Sequence, residues 1–444
     1  MKKIIVALLV ALVAGGVAFA FFSPQQAQLL GIVTFLVVMW TNNALPLGVV
    51  SLLPILLFPA FGIMDLNHVT PNYAKSIIFL FLGGFMLAIA MQKIDLHRQL
   101  SNRLLHLFPH TARGMIYAMA IVSALLSSVL SNTTITLMLL PIGLFITENI
   151  RLKVRILLAI AYGASVGGIL TPIGTAPNLL LIGYFETMGV EAPTFTTWMG
   201  MTAPIVMAML LLMPWVLSLG VQNEPVGEVP KQIDPFSKEQ KKLLWIFGIL
   251  SLLLILNTPI KPWYPGLGLN EKGLLLAAGL LLFVPGIGLL EWEDSRAIPY
   301  EIIFLFGAGF SIAAAFNATH LAEAIAQKLQ FVHSLPLWLT LVVVALVISF
   351  STEITSNTAL TSIALPVMAQ LYGSGSHETL LILMVTTVAA SYAFMLPIAT
   401  PPNAIVMSSR LIQVKTMATV GFFIDLIGVA VVALTAYLLW QWIL

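Results

Sequence analysis

The chain has 444 residues, of which 59% are hydrophobic and 9% charged, with a formal net charge of +2 and a mean hydropathy of +1.01. Soluble domains carry about 25% charged residues, so this chain lacks the polar surface of one and is expected in the lipid bilayer. The chain has no Cys, which excludes disulfides and thiolate sites. It also has no basic cluster with interleaved aromatic residues, so a nucleic-acid partner is not expected.

The chain begins with a Lys pair at 2–3, followed by an apolar run over 4–22. These 19 residues are long enough to span a hydrocarbon core of about 30 Å. The Lys pair and the small residues near Ala18 also fit a signal peptide. We favour a first membrane helix, because a protein with many spans seldom needs a separate cleaved signal.

Twelve further apolar segments follow, and most of them are long enough to cross a bilayer as helices. They cover 28–40, 45–61, 76–93, 114–147, 154–184, 198–219, 242–257, 270–288, 300–317, 337–369, 379–408 and 416–443. Between them, 94–108 has Leu and Ile spaced among Arg98 and Arg103, which predicts an amphipathic surface helix. Its counterpart is expected at 318–331.

Two segments carry a polar cluster that a straight helix would place in the hydrocarbon. Ser131-Asn132-Thr133 lies in the middle of 114–147, and Ser356-Asn357-Thr358 lies in 337–369. We expect each segment to be a re-entrant hairpin, with arms of roughly 21–25 Å that enter the bilayer without crossing it. The predicted fold is an all-α polytopic membrane protein with 11 transmembrane helices plus two re-entrant hairpins.

The two tripeptides belong to an internal repeat with a constant offset of 225 residues. The same offset relates 78–81 to 303–306, Pro141 to Pro366, and 172–178 to 397–403. A gapless offset of this length indicates two copies of one unit. Matching polar and Pro/Gly breaks in the two halves of an apolar chain indicate the binding site of a transporter.

Loop charges orient the two copies. Sixteen of the 20 Lys and Arg residues fall on the side of the N-terminus, and the other side holds Lys75, Lys261, Lys272 and Lys328. The positive-inside rule therefore predicts a cytoplasmic N-terminus and an outer C-terminus. The odd number of spans gives an inverted repeat, in which both hairpin tips meet near mid-membrane.

Each copy also repeats a Pro/Gly-rich element, 174–178 (GTAPN) in the first and 399–403 (ATPPN) in the second. Since Pro interrupts a helix, we expect both spans to be unwound at mid-depth, where free carbonyls suit a small hard cation and helix N-termini suit an anion. Ser, Thr and Asn in membrane helices often only bond neighbouring helices. Duplication of both elements favours a binding site instead.

No Lys or Arg lies near the tips in sequence, so another group has to balance the charge of an anionic substrate. Neutral, oxygen-rich sites near Asn132 and Asn357 predict bound Na⁺, one ion in each copy. Glu353 is a functional candidate because acids within membrane segments are rare. We favour a structural hydrogen bond for it, since a carboxylate would repel an anion. Asp425 has no role assigned beyond pairing with a neighbour.

With these motifs the chain resembles, over essentially its whole length, the divalent anion/sodium symporter (DASS) family, which carries dicarboxylates, citrate or sulfate. The paired Ser-Asn-Thr motifs carry the resemblance, and the stretches 172–178 (PIGTAPN) and 397–403 (PIATPPN) support it. The resemblance implies a homodimer in which a mobile transport domain moves against a scaffold by an elevator motion. The uncharged Ser127 and Thr352 favour the Na⁺-coupled branch over exchangers, which use basic groups.

The resemblance also implies which residues bind. The implied substrate contacts are Asn132, Thr133, Asn357 and Thr358, with Thr175, Thr400 and Pro401 nearby. The implied Na⁺ sites are Ser127, Ser131, Asn132 and Gly174 for the first ion, and Thr352, Thr355, Asn357 and Ala399 for the second. The repeat pairs the members of the two sites except Ser131, whose counterpart is Ser356 rather than Thr355.

The expected domains follow the repeat. They are a scaffold over 1–110 and 242–335, a cytoplasmic linker over 221–241, and a transport domain over 111–220 (hairpin 112–148) and 336–444 (hairpin 337–370).

We expect an inner-membrane importer that couples Na⁺ to a C4-dicarboxylate such as succinate, malate or fumarate, with no organic cofactor. A dicarboxylate or citrate exchanger or a sulfate carrier of the same fold stays open. An enzyme is disfavoured because no Ser–His or His–Asp constellation lies near the tips, and a channel because two hairpins suit alternating access better.

Overall fold

The computed structural model describes residues 2–42, 44–226, 235–259, 263–329, 335–371 and 376–442. Within these ranges the chain is helical without β-strands, which confirms the predicted all-α class. The first half contains α1 (Lys2–Ala18), α2 (Pro24–Asn42), α3 (Leu47–Ala60), α4 (Leu66–Val69), α5 (Ser76–Lys93), α6 (Leu96–Leu105), α7 (Ala112–Ser127), α8 (Asn132–Phe145), α9 (Ile150–Gly168), α10 (Ala176–Met188) and α11 (Phe195–Ser218). The second half contains α12 (Lys238–Asn257), α13 (Glu271–Leu281), α14 (Tyr300–Ala318), α15 (Leu321–Lys328), α16 (Leu337–Thr352), α17 (Asn357–Leu371), α18 (His377–Ala389), α19 (Pro401–Met407) and α20 (Val414–Leu438). Short 3₁₀ helices lie at Thr70–Ala74, Trp292–Ala297 and Trp440–Trp442.

Both predicted hairpin segments are helix pairs separated by a short turn, α7 with α8 and α16 with α17. We call 128–133 the first tip and 353–358 the second tip. Ser131 is the N-cap of α8, and its Oγ accepts a hydrogen bond from the Thr134 N–H at 3.2 Å. Because an N-cap satisfies one of the free N–H groups of a helix start, the helix resumes directly at Asn132. In the second half it resumes at the equivalent residue, Asn357.

The spans that follow the hairpins are interrupted, as expected, but the interruptions lie mainly before the predicted elements 174–178 and 399–403. Residues 169–175, between α9 and α10, form what we call the first break, and 390–400, between α18 and α19, form the second break. The helices that follow the breaks, α10 and α19, have Pro within their first two positions. The N–H groups of these positions have no partner within the helix, so the missing N–H of Pro costs no hydrogen bond. The offset of 225 residues relates the last residues of the two breaks, 175 and 400, to each other. It does not relate their first residues, 169 and 390, because α18 ends earlier in its repeat than α9 does.

Small residues let pairs of helices approach closely. The backbone of Ala124 in α7 leaves no room for a Cβ at Gly167 of α9. A Cβ added to Gly279 of α13 would lie 2.9 Å from the Cα of Gly83 in α5. Close backbone contact at small residues is typical of membrane helices. The contact between α7 and α9 brings the first tip onto the first break.

Four described helical stretches are long and apolar enough to cross a membrane, namely Leu66–Lys93, Phe195–Ser218, Tyr300–Ala318 and Val414–Trp442. The other predicted spans are shorter, broken, less apolar or more charged, so the count of 11 stays a prediction. Gly15 of α1 packs near Gly31 of α2, where a Cβ would lie 3.5 Å from the Gly31 Cα. The helices α6 and α15 occupy the two predicted amphipathic segments.

Parts of the predicted connections lie outside the described residues: 227–234 of the linker, 330–334 at a domain boundary, 372–375, Lys261 and the last two residues. Where the linker is described, Nε2 of Gln240 donates to the Ile94 carbonyl at 2.9 Å. This bond fastens the start of α12 to the residue that follows α5.

Candidate functional site

A cavity of about 530 Å³ lies between the two tips and the two breaks, with residues of α2, α5 and α14 on its other side. Both Ser-Asn-Thr motifs line it, over 131–133 and 356–358. Its wall also contains Thr175, Thr400 and Pro401. The tertiary structure therefore brings all seven of the predicted substrate-contact residues into one cavity, although the two motifs are 225 residues apart.

The described residues that line this cavity include no Lys, Arg, Asp or Glu. Its polar groups are hydroxyls, amides and backbone peptides, supplied mainly by the tips together with Thr41 and Gln92. The remaining wall is largely apolar, with Trp40, Phe81 and Phe85 among its residues. An anion bound here would meet neutral donors only. Since a buried charge is costly without a partner, an accompanying cation would have to balance it.

Ser127 and Thr352 do not line the cavity but lie directly behind it, fully buried. The Ser127 Oγ donates to Asn132 Oδ1 at 2.6 Å, and the Thr352 Oγ1 donates to Asn357 Oδ1 at 2.6 Å. Each hydroxyl thus holds the amide of one Ser-Asn-Thr motif by the same bond. The remaining residues predicted for the cation sites, Ser131, Gly174, Thr355 and Ala399, line the cavity.

Oxygen atoms of the first predicted cation site lie close together around Gly168. A Cβ placed on this glycine would be 3.0 Å from Asn132 Oδ1 and 3.2 Å from the Gly174 carbonyl oxygen. Neutral amide, hydroxyl and carbonyl oxygens are ligands that suit a hard cation. The donor set of the first site therefore fits Na⁺.

Ser131 and Thr355, the two predicted cation ligands that the repeat does not relate, make different hydrogen bonds. The Ser131 Oγ faces forward into α8, where it accepts from the Thr134 N–H and contacts the Thr134 hydroxyl at 3.1 Å. The Thr355 Oγ1 instead donates back to the Ser351 carbonyl at 2.9 Å. The two hydroxyls therefore make different bonds, although both reach the cavity.

Asn178 and Asn403 have a role that the sequence analysis missed. Both are fully buried. The Asn178 Nδ2 donates to the carbonyls of Gly168 and Thr171 at 3.1 and 2.8 Å. At equivalent positions of the other half, the Asn403 Nδ2 donates to the carbonyls of 393 and 396 at 2.9 and 3.0 Å. These amides satisfy carbonyls that the interrupted helices leave free. The Pro-Asn pair, repeated at 177–178 and 402–403, is the sequence signal from which this role could have been predicted.

Glu353 and Asp425 lie outside the cavity wall and are 3% and 1% exposed. The Glu353 carboxylate accepts hydrogen bonds from backbone N–H groups of the second break, which is the structural role favoured from the sequence. One oxygen of Asp425 accepts from the Ser349 hydroxyl at 3.4 Å. The Asp425 side chain lies against the Glu353 carboxyl group, so its neighbour is another acid rather than a cation, and its role stays unassigned.

The cavity runs along α5 from Phe81 to Gln92, towards the end of this helix that carries Lys93. Lys93 pairs there with Asp294 at 2.7 Å. At the opposite end of α5, Glu186 accepts from the Ser76 hydroxyl at 3.1 Å and forms an ion pair with Lys272. The cavity thus extends towards the face of the protein on which Lys93 lies, which we call the Lys93 face. At the opposite face Ser76, Glu186 and Lys272 form a polar cluster that joins α5, α10 and α13.

Known proteins resemble this chain over most of its length. A sequence model described as "Citrate transporter" (CitMHS) matches residues 35–389. The "Sodium-dependent dicarboxylate transporter SdcS" of Staphylococcus saprophyticus is 30% identical over 450 residues, covering 94% of this chain and 86% of the relative. The protein of the same name from Staphylococcus aureus is 30% identical over 456 residues, covering 94% and 87%.

Among solved structures, the crystal structure of the Alcanivorax borkumensis YdaH transporter superposes with a TM-score of 0.53. The superposition covers 84% of this chain and 87% of that one, at 16% sequence identity. At this identity the likeness concerns the fold alone, which is that of a membrane transporter.

Proposed function

Since the chain matches the citrate transporter (CitMHS) family model and belongs to the divalent anion/sodium symporter family, we propose that it couples Na⁺ entry to the import of a C4-dicarboxylate. Succinate, malate and fumarate are the proposed substrates. The names of its sodium-dependent dicarboxylate relatives support both the ion and the substrate class. Family and relatives are transporters rather than enzymes.

The observation that carries this proposal is the uncharged cavity shared by both Ser-Asn-Thr motifs. A C4-dicarboxylate has a carboxylate at each end, and each tip offers one Asn amide and one Thr hydroxyl. In the proposal, Asn132 and Thr133 bind one carboxylate, and Asn357 and Thr358 bind the other. Neutral donors alone hold a dianion weakly, so affinity should depend on the cations bound beside it.

We place one Na⁺ ion behind each motif, in the sites implied by the family. The first takes Ser127, Ser131, Asn132 and Gly174, and the second takes Thr352, Thr355, Asn357 and Ala399. The hydroxyl-to-amide bonds at 2.6 Å support this placement, because they cluster oxygens at the same point in each half. Each cation would lower the electrostatic cost of bringing one carboxylate into the membrane.

We further propose that transport follows an elevator motion in a homodimer of the inner membrane, with a cytoplasmic N-terminus and an outer C-terminus. The scaffold would comprise 1–110 and 242–335, and the moving part 111–220 and 336–444. With this topology the Lys93 face is cytoplasmic. The present cavity would then be open to the inside, and the Glu186–Lys272 pair would close the outside.

A citrate carrier of the same fold is the second candidate. The description of the family favours it, and a cavity of about 530 Å³ has room for a larger anion than succinate. A dicarboxylate exchanger is distinguished from a symporter by its dependence on internal substrate rather than on Na⁺.

The deciding experiment is uptake of labelled succinate into proteoliposomes with Na⁺, Li⁺ or K⁺ outside. We expect uptake with Na⁺ at least about tenfold faster than with K⁺, and competition by unlabelled malate and fumarate. Equal rates with all three cations would overturn the symport proposal. Uptake that requires internal dicarboxylate would establish the exchanger, and preferential competition by citrate would establish the citrate carrier.

A further inference from the structure

Glu353 is a buried acid that faces the backbone of the second break rather than the cavity. One of its carboxylate oxygens accepts from the Met395 N–H at 2.7 Å, and the other accepts from the Leu396 N–H at 2.8 Å. Hydrogen bonds to a carboxylate are shorter and stronger than those between neutral groups. These two bonds therefore tie the second tip firmly to the second break.

This tie extends to the predicted second cation site through Leu396. The Leu396 carbonyl accepts from Asn403 Nδ2 at 3.0 Å and from the Ala399 N–H at 3.2 Å. Leu396 is thus held at its N–H by Glu353 and at its carbonyl by Asn403. A displacement of Leu396 would move Ala399 relative to Asn357.

The first half makes the corresponding tie with different chemistry. The residue equivalent to Glu353 is Ser128, and the residue equivalent to Leu396 is Thr171. The Thr171 hydroxyl donates to the Ser128 backbone carbonyl, so tip and break are joined here by a neutral bond. The same two elements are therefore fastened in both halves, by a hydroxyl in one and by a carboxylate in the other.

We propose that Glu353 is a positioning residue that sets the geometry of the second cation site and of the neighbouring Thr400. The inference rests on the proposed function, in which that site holds Na⁺. In the proposal Glu353 contacts neither ion nor substrate, because it lies outside the cavity wall and its carboxyl group bonds two backbone N–H groups and the Asp425 side chain. Thr171 positions the first site in the same way.

The tie itself is tested by hydrogen exchange on the purified protein. Glu353→Gln keeps the shape of the side chain, but its NH₂ group cannot accept from a backbone N–H. The Gln carbonyl oxygen can still accept one of the two bonds, so we expect exchange to become at least about tenfold faster at whichever of residues 395 and 396 then faces the NH₂ group, with no change in the first break. The matched variant Thr171→Val should accelerate exchange in the first half only. Unchanged exchange at both 395 and 396 in a folded Glu353→Gln protein would overturn the proposal.

The functional consequence is tested by Na⁺ titration of succinate uptake. Glu353→Gln should raise the Na⁺ concentration for half-maximal uptake by about tenfold. It should change the KM for succinate at saturating Na⁺ much less. A loss of maximal rate with both constants unchanged would indicate a merely structural role and overturn the proposal. Absence of Na⁺-dependent uptake in the unmodified protein would refute the proposed function, whereas the exchange result would still test the tie.

Discussion

Thr352 donates a hydrogen bond from its Oγ1 to the Oδ1 of Asn357 at 2.6 Å. Ser127 and Asn132 repeat this bond at the same distance in the other half of the chain. In both halves a hydroxyl at the last residue of one helix thus orients the amide at the first residue of the next. Each amide is therefore oriented before any ligand arrives.

Removal of this hydroxyl should weaken cation binding. Thr352→Val keeps the shape of the side chain but leaves the Asn357 amide without its partner. We expect the Na⁺ concentration for half-maximal uptake to rise by about five- to tenfold, which corresponds to the loss of one hydrogen bond. Thr352→Ser is the matched control and should stay near the unmodified protein. An unchanged Na⁺ titration for Thr352→Val would contradict the role given to this bond.

The two amides should be indispensable for transport. Asn132→Ala or Asn357→Ala removes the group that lies between the proposed ion and the proposed carboxylate, so uptake of labelled succinate should fall to background. Both residues border the cavity, so the melting temperature of the purified variants should change little. Asn67→Ala, at an exposed position of α4, is the control. Full uptake in either cavity variant would refute the site assignment.

Asn178 and Asn403 should matter for stability first. Asn403→Ala leaves the buried carbonyl of 393 without this donor and the Leu396 carbonyl with the Ala399 N–H alone, and an unsatisfied buried group costs about 1–3 kcal/mol. We expect a clear drop in the melting temperature. Asn403→Asp should be worse, because it turns carboxylate oxygens towards the two carbonyls. Thermal unfolding in detergent measures both, and a melting temperature equal to that of Asn67→Ala would show that other groups satisfy these carbonyls.

The direction in which the cavity opens can be tested with single cysteines, because the chain has none of its own. We expect Gln92→Cys, at the Lys93 end of the cavity, to react with a membrane-impermeant maleimide in inside-out vesicles only. Glu191→Cys, exposed after the end of α10, should react in right-side-out vesicles only. Labelling of Gln92→Cys from the outside alone would reverse the proposed topology.

The Glu186–Lys272 pair should stabilise the arrangement in which the outer face is closed. Both side chains are about 29% exposed, so the pair contributes about 0.2–1 kcal/mol. Glu186→Gln should therefore reduce the labelling rate of Gln92→Cys by about two- to fivefold, since the inward-open arrangement becomes less populated. The control Glu191→Gln should leave that rate unchanged. Equal rates in both variants would show that the pair does not couple to the opening of the cavity.

Much of the architecture was readable from local sequence signals. The Ser-Asn-Thr motifs and the Pro-rich stretches stand out from apolar surroundings, and their duplication predicts both the helix breaks and the shared cavity. The beginning of the second break was not readable. It starts at 390, well before Pro397, because side chains from elsewhere contact its backbone: the Tyr162 hydroxyl donates to the Phe394 carbonyl at 2.8 Å, and the Thr352 hydroxyl, whose proton is shared with Asn357, lies 3.0 Å from the Ala390 carbonyl.

The sequence by itself determined the helical class, the duplication, the family and the uncharged character of the tips, because these depend on composition and on local pattern. The tertiary structure decided which side chains hold the breaks open and towards which face the cavity extends. The Glu353 carboxylate meets its partner amides 42 and 43 residues further along the chain. Such contacts, and the face towards which the cavity extends, depend on how separate helices pack, so neither is expressed in any local run of residues.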